Sequence, residues 1–390
     1  MVSQMKTHVI KNRNFGLDLM RTLAIMFVLF HHWSAFNLSG VNFFKPGIYY
    51  MDVFGYLGVE IFFVLSGFLI GNIIIKSYCN EPEYGRKPIT RFWTRRWLRT
   101  LPMYYFILFI YIAILIIKHT MIPGLWKYFV FLQNIFSYNT TNNDFYGVSW
   151  SLSVEEWFYL SFPILLVSAD FFLKKVFKKK SIIFSVILLY IVLSLLIRIA
   201  YVYVEDPSWS NVLRKAVVCR EDSIAFGVLG ALIHNFRNYY FNNYKGWLFI
   251  IGIVLFSIGT TIFIKDVSYN YYYSVGKVSF FSKTGLFSLV SFSILLMLPY
   301  FYHINCNNNL LKLVITHISK ISYSLYLIHI FFDRVLQRVF HDNQSPLILI
   351  MKLFLFLLLS IVGSTITFNL IENTFLKIRD RIWKEKYNAI

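Results

Sequence analysis

Cysteine is scarce in this chain of 390 residues, which has Cys79, Cys219 and Cys306 and no others. So few and scattered thiols exclude a disulfide framework and a cysteine-rich metal site, and no resident metal is expected. Acidic residues are also few, with 19 Asp and Glu against 38 Lys and Arg and a formal net charge of +19. Long polar stretches are missing too. Stretches between apolar runs reach about 30 residues at most, so no appended soluble domain is expected and residues 1–390 are read as one transmembrane domain. No low-complexity linker interrupts that domain, although Asn139 to Asp144 is locally polar.

What fills the chain is apolar. Hydrophobic residues make up 57% and aromatic residues 20%, and the mean hydropathy is +0.58, more than a soluble domain can bury. Runs long enough to span a bilayer fall at roughly 15–36, 53–75, 100–117, 147–169, 181–200, 217–235, 247–264, 283–302, 320–337 and 347–370. An all-α polytopic membrane protein with about ten transmembrane helices is expected, because the runs are helix-length and lack the short alternation of a membrane barrel. The basic excess then reports sidedness, and no nucleic-acid partner is expected. With the amino terminus in the cytoplasm, inner segments carry Lys6, Lys11 and Arg13, seven basic residues from Lys76 to Arg99, five from Lys174 to Lys180 and five from Lys377 to Lys386. The opposite orientation puts this excess outside, so both termini are expected to be cytoplasmic. The first run has a Lys-containing start like a secretory signal, but Asp18, Arg21 and His32 interrupt it and no small-x-small cleavage site follows. A retained first span is expected.

Ionisable groups inside spans mark candidate sites, since each costs about 2.5 kcal/mol or more at mid-bilayer and so faces a protein interior or a watery path. Arg21 and His32 are eleven positions apart in GLDLMRTLAIMFVLFHHW. Helical geometry puts them on one face, about 20° apart in rotation and roughly 16 Å apart along the axis. Glu60 lies in GVEIFFVLSGFLIG, whose Ser66–Gly67 pair suits close helix approach. In RFWTRRWLRTLP, Arg91 and Arg95 read as headgroup anchors, whereas Arg96 and Arg99, three apart, can present two guanidinium forks to one phosphorylated ligand. SWSLSVEEWFYL opens the fourth span. Its serines suit capping, and adjacent Glu155 and Glu156 point about 100° apart, so that one of the two faces the bundle. Arg220 and Asp222 lie at the outer end of the sixth span, at the depth expected for Glu60 and His32, and His329 lies within ISYSLYLIH near mid-membrane.

Taken together, these elements resemble the bacterial acyltransferase family 3 of integral membrane O-acyltransferases. LDLMR followed by His32 is similar to its arginine, ten residues, histidine signature, and GVEIFFVLSGFLI to its second-span motif. RRWLRTLP, SWSLSVEEWFYL, CREDSIAFGVLGA and ISYSLYLIH resemble four further family elements, in the family's order. One departure stands out: Glu372 is followed by Asn373 and Thr374, where the family shows Glu, one residue, then Pro.

The resemblance implies a stand-alone O-acyltransferase in the bacterial inner membrane, moving an acyl group, acetyl above all, from cytoplasmic acetyl-CoA to a surface glycan or lipid-linked sugar. Acetyl-CoA would be a co-substrate and no tightly bound cofactor is expected. Arg21, Arg96 and Arg99 are the expected donor-binding residues. His32 is the expected general base, its tautomer set by Glu155 or Glu156, with an acyl-histidine route left open. Glu60, Trp150, Ser153, Arg220 and His329 are the candidate substrate-binding residues. The acceptor is expected to meet outer loops 37–52, 201–216 and 265–282. A transporter or flippase using the same Arg, His and Glu residues as a substrate or proton path is the alternative from another class, and a scaffold for polysaccharide assembly a third.

Overall fold

The computed structural model describes residues 13–38, 45–81, 85–136, 145–273, 276–340 and 345–387. Lys6, Lys11 and the stretch from Asn139 to Asp144 lie outside the described residues. Every apolar run falls on a helix: α1 (Phe15–Asn37), α2 (Asp52–Asn80), α3 (Arg86–Ile117), α4 (Ser149–Leu173), α5 (Lys179–Val204), α6 (Glu221–Phe236), α7 (Lys245–Ile262), α8 (Leu286–Tyr302), α9 (Asn309–Phe340) and α10 (Pro346–Thr367). A wider turn, Phe368–Glu372, leads from α10 into α11 (Asn373–Tyr387). Eight helical segments of the described chain are long and apolar enough to cross a membrane. The protein is an all-α, multi-pass membrane protein.

The two shorter helices have local causes. α6 has 16 residues and α8 has 17. The run expected from 217 becomes α-helical only at Glu221, because the Val217 and Val218 N–H groups are given to the carbonyls of Asn134 and Ile135 at 2.9 and 3.3 Å. Those acceptors belong to non-helical backbone lodged against α3 and α4. Tyr104 and Tyr105 donate their hydroxyls to the Tyr128 and Phe129 carbonyls at 2.8 and 2.7 Å, and Trp157 Nε1 donates to the Phe131 carbonyl at 2.9 Å. Side chains thereby satisfy backbone groups that no helix pairs, as an apolar setting demands.

α2 is the central helix, with α1, α6 and α8 packed on it. Small residues set the α2–α6 spacing: a Cβ on Gly67 would overlap the Ile224 carbonyl, and one on Gly227 would overlap that of Val64. Gly67→Val is expected to cost about 3 kcal/mol, since the obstacle is backbone that cannot swing away. Thermal unfolding in detergent checks this, and an unchanged midpoint refutes it. At the start of α1, Asn14 accepts the Leu17 N–H at 3.0 Å and donates its amide to the Tyr302 carbonyl at 2.7 Å, which ties the helix end to the end of α8. α9 lies beside α1. That neighbourhood positions the site.

Candidate active site

Arg21 projects from α1 into a cavity of about 410 Å³. Asp18, one turn earlier, lies 3.7 Å from its guanidinium, and Ser319 of α9 lies at 3.4 Å. The same Asp18 is held bidentately by Arg13, at 2.9 and 2.5 Å, so a small network fixes the arginine. Arg95, Arg96 and Arg99 of α3 and Arg379 of α11 line the cavity with it. Phe62, Phe63, Leu69, Ile70 and Phe92 supply an apolar wall, and Ser151 and Tyr326 also line it. Five guanidinium groups around one apolar cleft suit a ligand with several anionic oxygens and a long neutral arm.

Glu155 and Glu156 diverge as their helical spacing predicts. Glu155 lies on the cavity, 2.9 Å from Arg96, and also accepts hydrogen bonds from Ser66 at 2.9 Å and Tyr159 at 2.8 Å. The Arg96 guanidinium lies 4.3 Å over the Tyr159 ring as well. Glu156 accepts from Thr100 at 3.0 Å and borders a separate apolar cavity of about 360 Å³ with Trp97, Tyr105 and Trp157. Neither carboxylate hydrogen-bonds to His32, and the expectation that one of them sets its tautomer is corrected. The reason is that Arg96 and Thr100 of α3 claim them first.

Backbone carbonyls set that tautomer instead. His32 Nδ1 lies 2.9 Å from the Val28 carbonyl, one turn back on α1. His329 Nδ1 lies 3.0 Å from the Leu325 carbonyl in the same relation on α9, and its Nε2 lies 3.2 Å from His32 Nδ1. A carbonyl only accepts, so both Nδ1 atoms carry hydrogen. His329 Nε2 therefore accepts a share of the His32 proton, and His32 Nε2 keeps a free lone pair. Tyr326, one turn before His329, links this pair to the cavity: its ring centroid is 6.1 Å from that of His329 and its hydroxyl is 2.6 Å from Ser151 Oγ.

The other expected substrate-binding residues are engaged elsewhere. Glu60 is wholly buried, ion-paired with Arg220, and accepts from Ser223 at 3.1 Å and Ser291 at 2.8 Å. Beside this pair Arg198 grips Asp222 at 3.0 and 2.8 Å, with neither residue exposed. Glu60 and Arg220 thus form a sealed clamp between α2, α6 and α8, away from the ligand surface that the sequence suggested. Ser153 is buried under the Gln133 amide at 2.6 Å, and the Trp150 carbonyl accepts from Asn134 at 2.9 Å. Arg95, expected as a headgroup anchor, lines the cavity instead, whereas Arg91 lies 3.7 Å from Glu81.

The acyltransferase domain family matches residues 14–368 of the chain. The chain belongs to that family. A Staphylococcus aureus (strain MRSA252) protein named "Putative O-acetyltransferase" is 26% identical over 404 residues, covering 95% of this chain and 59% of the relative. The protein of that name from strain COL is similar to the same extent. O-acetyltransferase OatA of Staphylococcus aureus (strain NCTC 8325 / PS 47) is 30% identical over 180 residues, which cover 43% of this chain and 26% of OatA. The chain thus spans 59% of the length of the relatives that match most of it. No solved structure matches.

Several residues of this acyltransferase domain carried little signal in the sequence. Asp18 and Ser319 brace Arg21, Tyr326 stands between the cavity and the histidines, and Arg379 arrives from the final helix. Tyr326 was findable, because it lies three residues before His329 and so on the same helical face. Glu372, the departure from the family element, is buried, accepts from Ser324 at 3.1 Å and faces the charge of Arg99.

Proposed function

We propose that the chain is a membrane O-acyltransferase of the bacterial inner membrane, moving an acyl group from cytoplasmic acyl-CoA to a hydroxyl of an extracytoplasmic or membrane-associated glycan. One observation carries this reading: a single cavity runs from an arginine cluster to Tyr326, whose ring meets that of His329, the partner of His32. Arg21, Arg96 and Arg99 hold the phosphates of the donor, and the phenylalanine wall takes the neutral arm. Acetyl is the acyl group proposed, because the relatives are named as O-acetyltransferases. His32 Nε2 takes the proton of the acceptor hydroxyl as its oxygen bonds to the thioester carbonyl carbon. When the C–S bond breaks, the imidazolium returns that proton to the sulfur, and the free thiol and the glycan ester leave.

In this mechanism Glu155 acts on Arg96 and through it on the donor. Arg99→Gln is expected to raise the KM for acetyl-CoA by about 10- to 100-fold, the loss of one or two charge-assisted hydrogen bonds. Thiol release from acetyl-CoA by protein in nanodiscs measures it. A variant with the wild-type KM would remove the arginine cluster from the donor site. Accumulation of a solute in vesicles with no donor consumed would favour a transporter.

A further inference from the structure

Two contacts between α1 and α9 set a scale along the site. At one end Ser319 of α9 lies 3.4 Å from Arg21, and at the other His329 of α9 meets His32 at 3.2 Å. Helical rise puts Tyr326 about 10 Å beyond Ser319 and about 5 Å short of His329 along α9. Tyr326 therefore stands near the reacting end. It lines the cavity, is 7% exposed, and holds its ring 6.1 Å from those of both Phe62 and His329.

Other hydroxyls around the cavity have committed their hydrogens. Ser66 donates to Glu155 at 2.9 Å, Thr100 to Glu156 at 3.0 Å, Ser322 to the Ser319 carbonyl at 2.9 Å and Tyr323 to the Thr100 carbonyl at 2.8 Å. Ser151 and Tyr326 are different. Their oxygens lie 2.6 Å apart, and the further acceptor that each meets among the described residues is the Val148 carbonyl, at 3.2 and 3.3 Å. Those contacts are long, since O–H···O bonds run from about 2.5 to 3.0 Å. Val148 also caps α4, so its carbonyl takes the first hydrogen bond of that helix without help from either hydroxyl. Two hydroxyls carry two hydrogens, and their mutual bond uses one. The second is weakly held, and a carbonyl oxygen entering the cavity can take it while the pair stays joined. When Ser151 donates to Tyr326, that second hydrogen is the phenol's, and the bond it receives makes the phenol the stronger donor.

We propose that Tyr326 is a catalytic residue, its hydroxyl donating to the acyl carbonyl oxygen of the donor and most strongly to the oxyanion that forms there. This rests on the acyltransferase reading and adds to it the group that stabilises the transition state. As the acceptor oxygen bonds to the carbonyl carbon, His32 Nε2 takes its proton and the C=O π pair moves onto the carbonyl oxygen. Tyr326 meets that charge with a hydrogen bond and keeps its own proton. Collapse restores the C=O bond, breaks the C–S bond and passes the imidazolium proton to the sulfur, so the phenol ends as it began. A donor already aimed at the developing charge needs no reorganisation at that moment, which is why such donors act on the rate more than on binding. Ser151 is a positioning residue, because it acts through the Tyr326 hydroxyl.

The test follows thiol release from acetyl-CoA by the protein in nanodiscs, with glycans extracted from the source organism as acceptor at a saturating concentration. Tyr326→Phe is expected to lower kcat by about 10²- to 10³-fold, the loss of one oxyanion donor, with the KM for acetyl-CoA within a few-fold of wild type. Ser151→Ala is expected to cost about 3- to 10-fold in kcat, the worth of one neutral hydrogen bond. With 3-fluorotyrosine at position 326, a stronger hydrogen-bond donor of nearly the same shape, kcat is expected to hold or rise, a readout that lost packing does not mimic. Wild-type kcat in Tyr326→Phe overturns the proposal. So does a raised donor KM with kcat unchanged, because Tyr326 would then only bind the donor. A fall in kcat with 3-fluorotyrosine also overturns it, because the phenol oxygen would then act as an acceptor. If wild type itself releases no thiol, the acyltransferase reading fails, and this inference with it.

Discussion

His32→Ala is expected to lower acyl transfer by about 10²- to 10⁴-fold, the contribution of a positioned general base, while donor affinity stays close to wild type. The two effects separate because His32 and the arginines occupy different ends of the site. Arg21 and His32 stand on one face of α1, and only Arg21 is in the cavity lining. His329→Ala is expected to cost less, since the Val28 carbonyl alone still holds His32 Nδ1–H and leaves Nε2 free. Thiol release and competitive donor binding, measured on both variants after confirming insertion, distinguish them. Wild-type turnover in His32→Ala would remove the base from the mechanism. An equal loss in both variants would instead make the imidazoles a single proton-handling unit.

Arg220→Met should destabilise the protein by about 3–5 kcal/mol, because it strands the Glu60 carboxylate in a site without water. Ser223 and Ser291 still donate to that carboxylate, but neither carries the charge that balances it. Replacing both partners, Glu60→Leu with Arg220→Met, should recover most of the loss, as a buried pair exchanged for apolar groups commonly does. Unfolding midpoints in a common detergent measure both variants. If Arg220→Met kept its midpoint and instead raised the acceptor KM, the pair would be a ligand site after all.

Hydropathy determined the helical architecture and where each helix falls, because apolar runs of bilayer length permit little else. Helical periodicity also determined that Arg21 and His32 share a face and that Glu155 and Glu156 diverge, since these relations lie within one helix. Which partners those groups meet was decided between helices. Glu155 and Glu156 were equal candidates for His32 until α3 brought Arg96 to one and Thr100 to the other. Glu60 looked like a binding group because an isolated acid in a span needs a partner, but that partner, Arg220, is 160 residues away and sealed in with it. His329 is 297 residues from His32, and no periodicity announces their 3.2 Å contact. Local spacing follows from the geometry of a single helix. Ion pairs, the meeting of His32 with His329 and the arginines around the cavity depend on how helices far apart in sequence pack, and that only the tertiary structure decided.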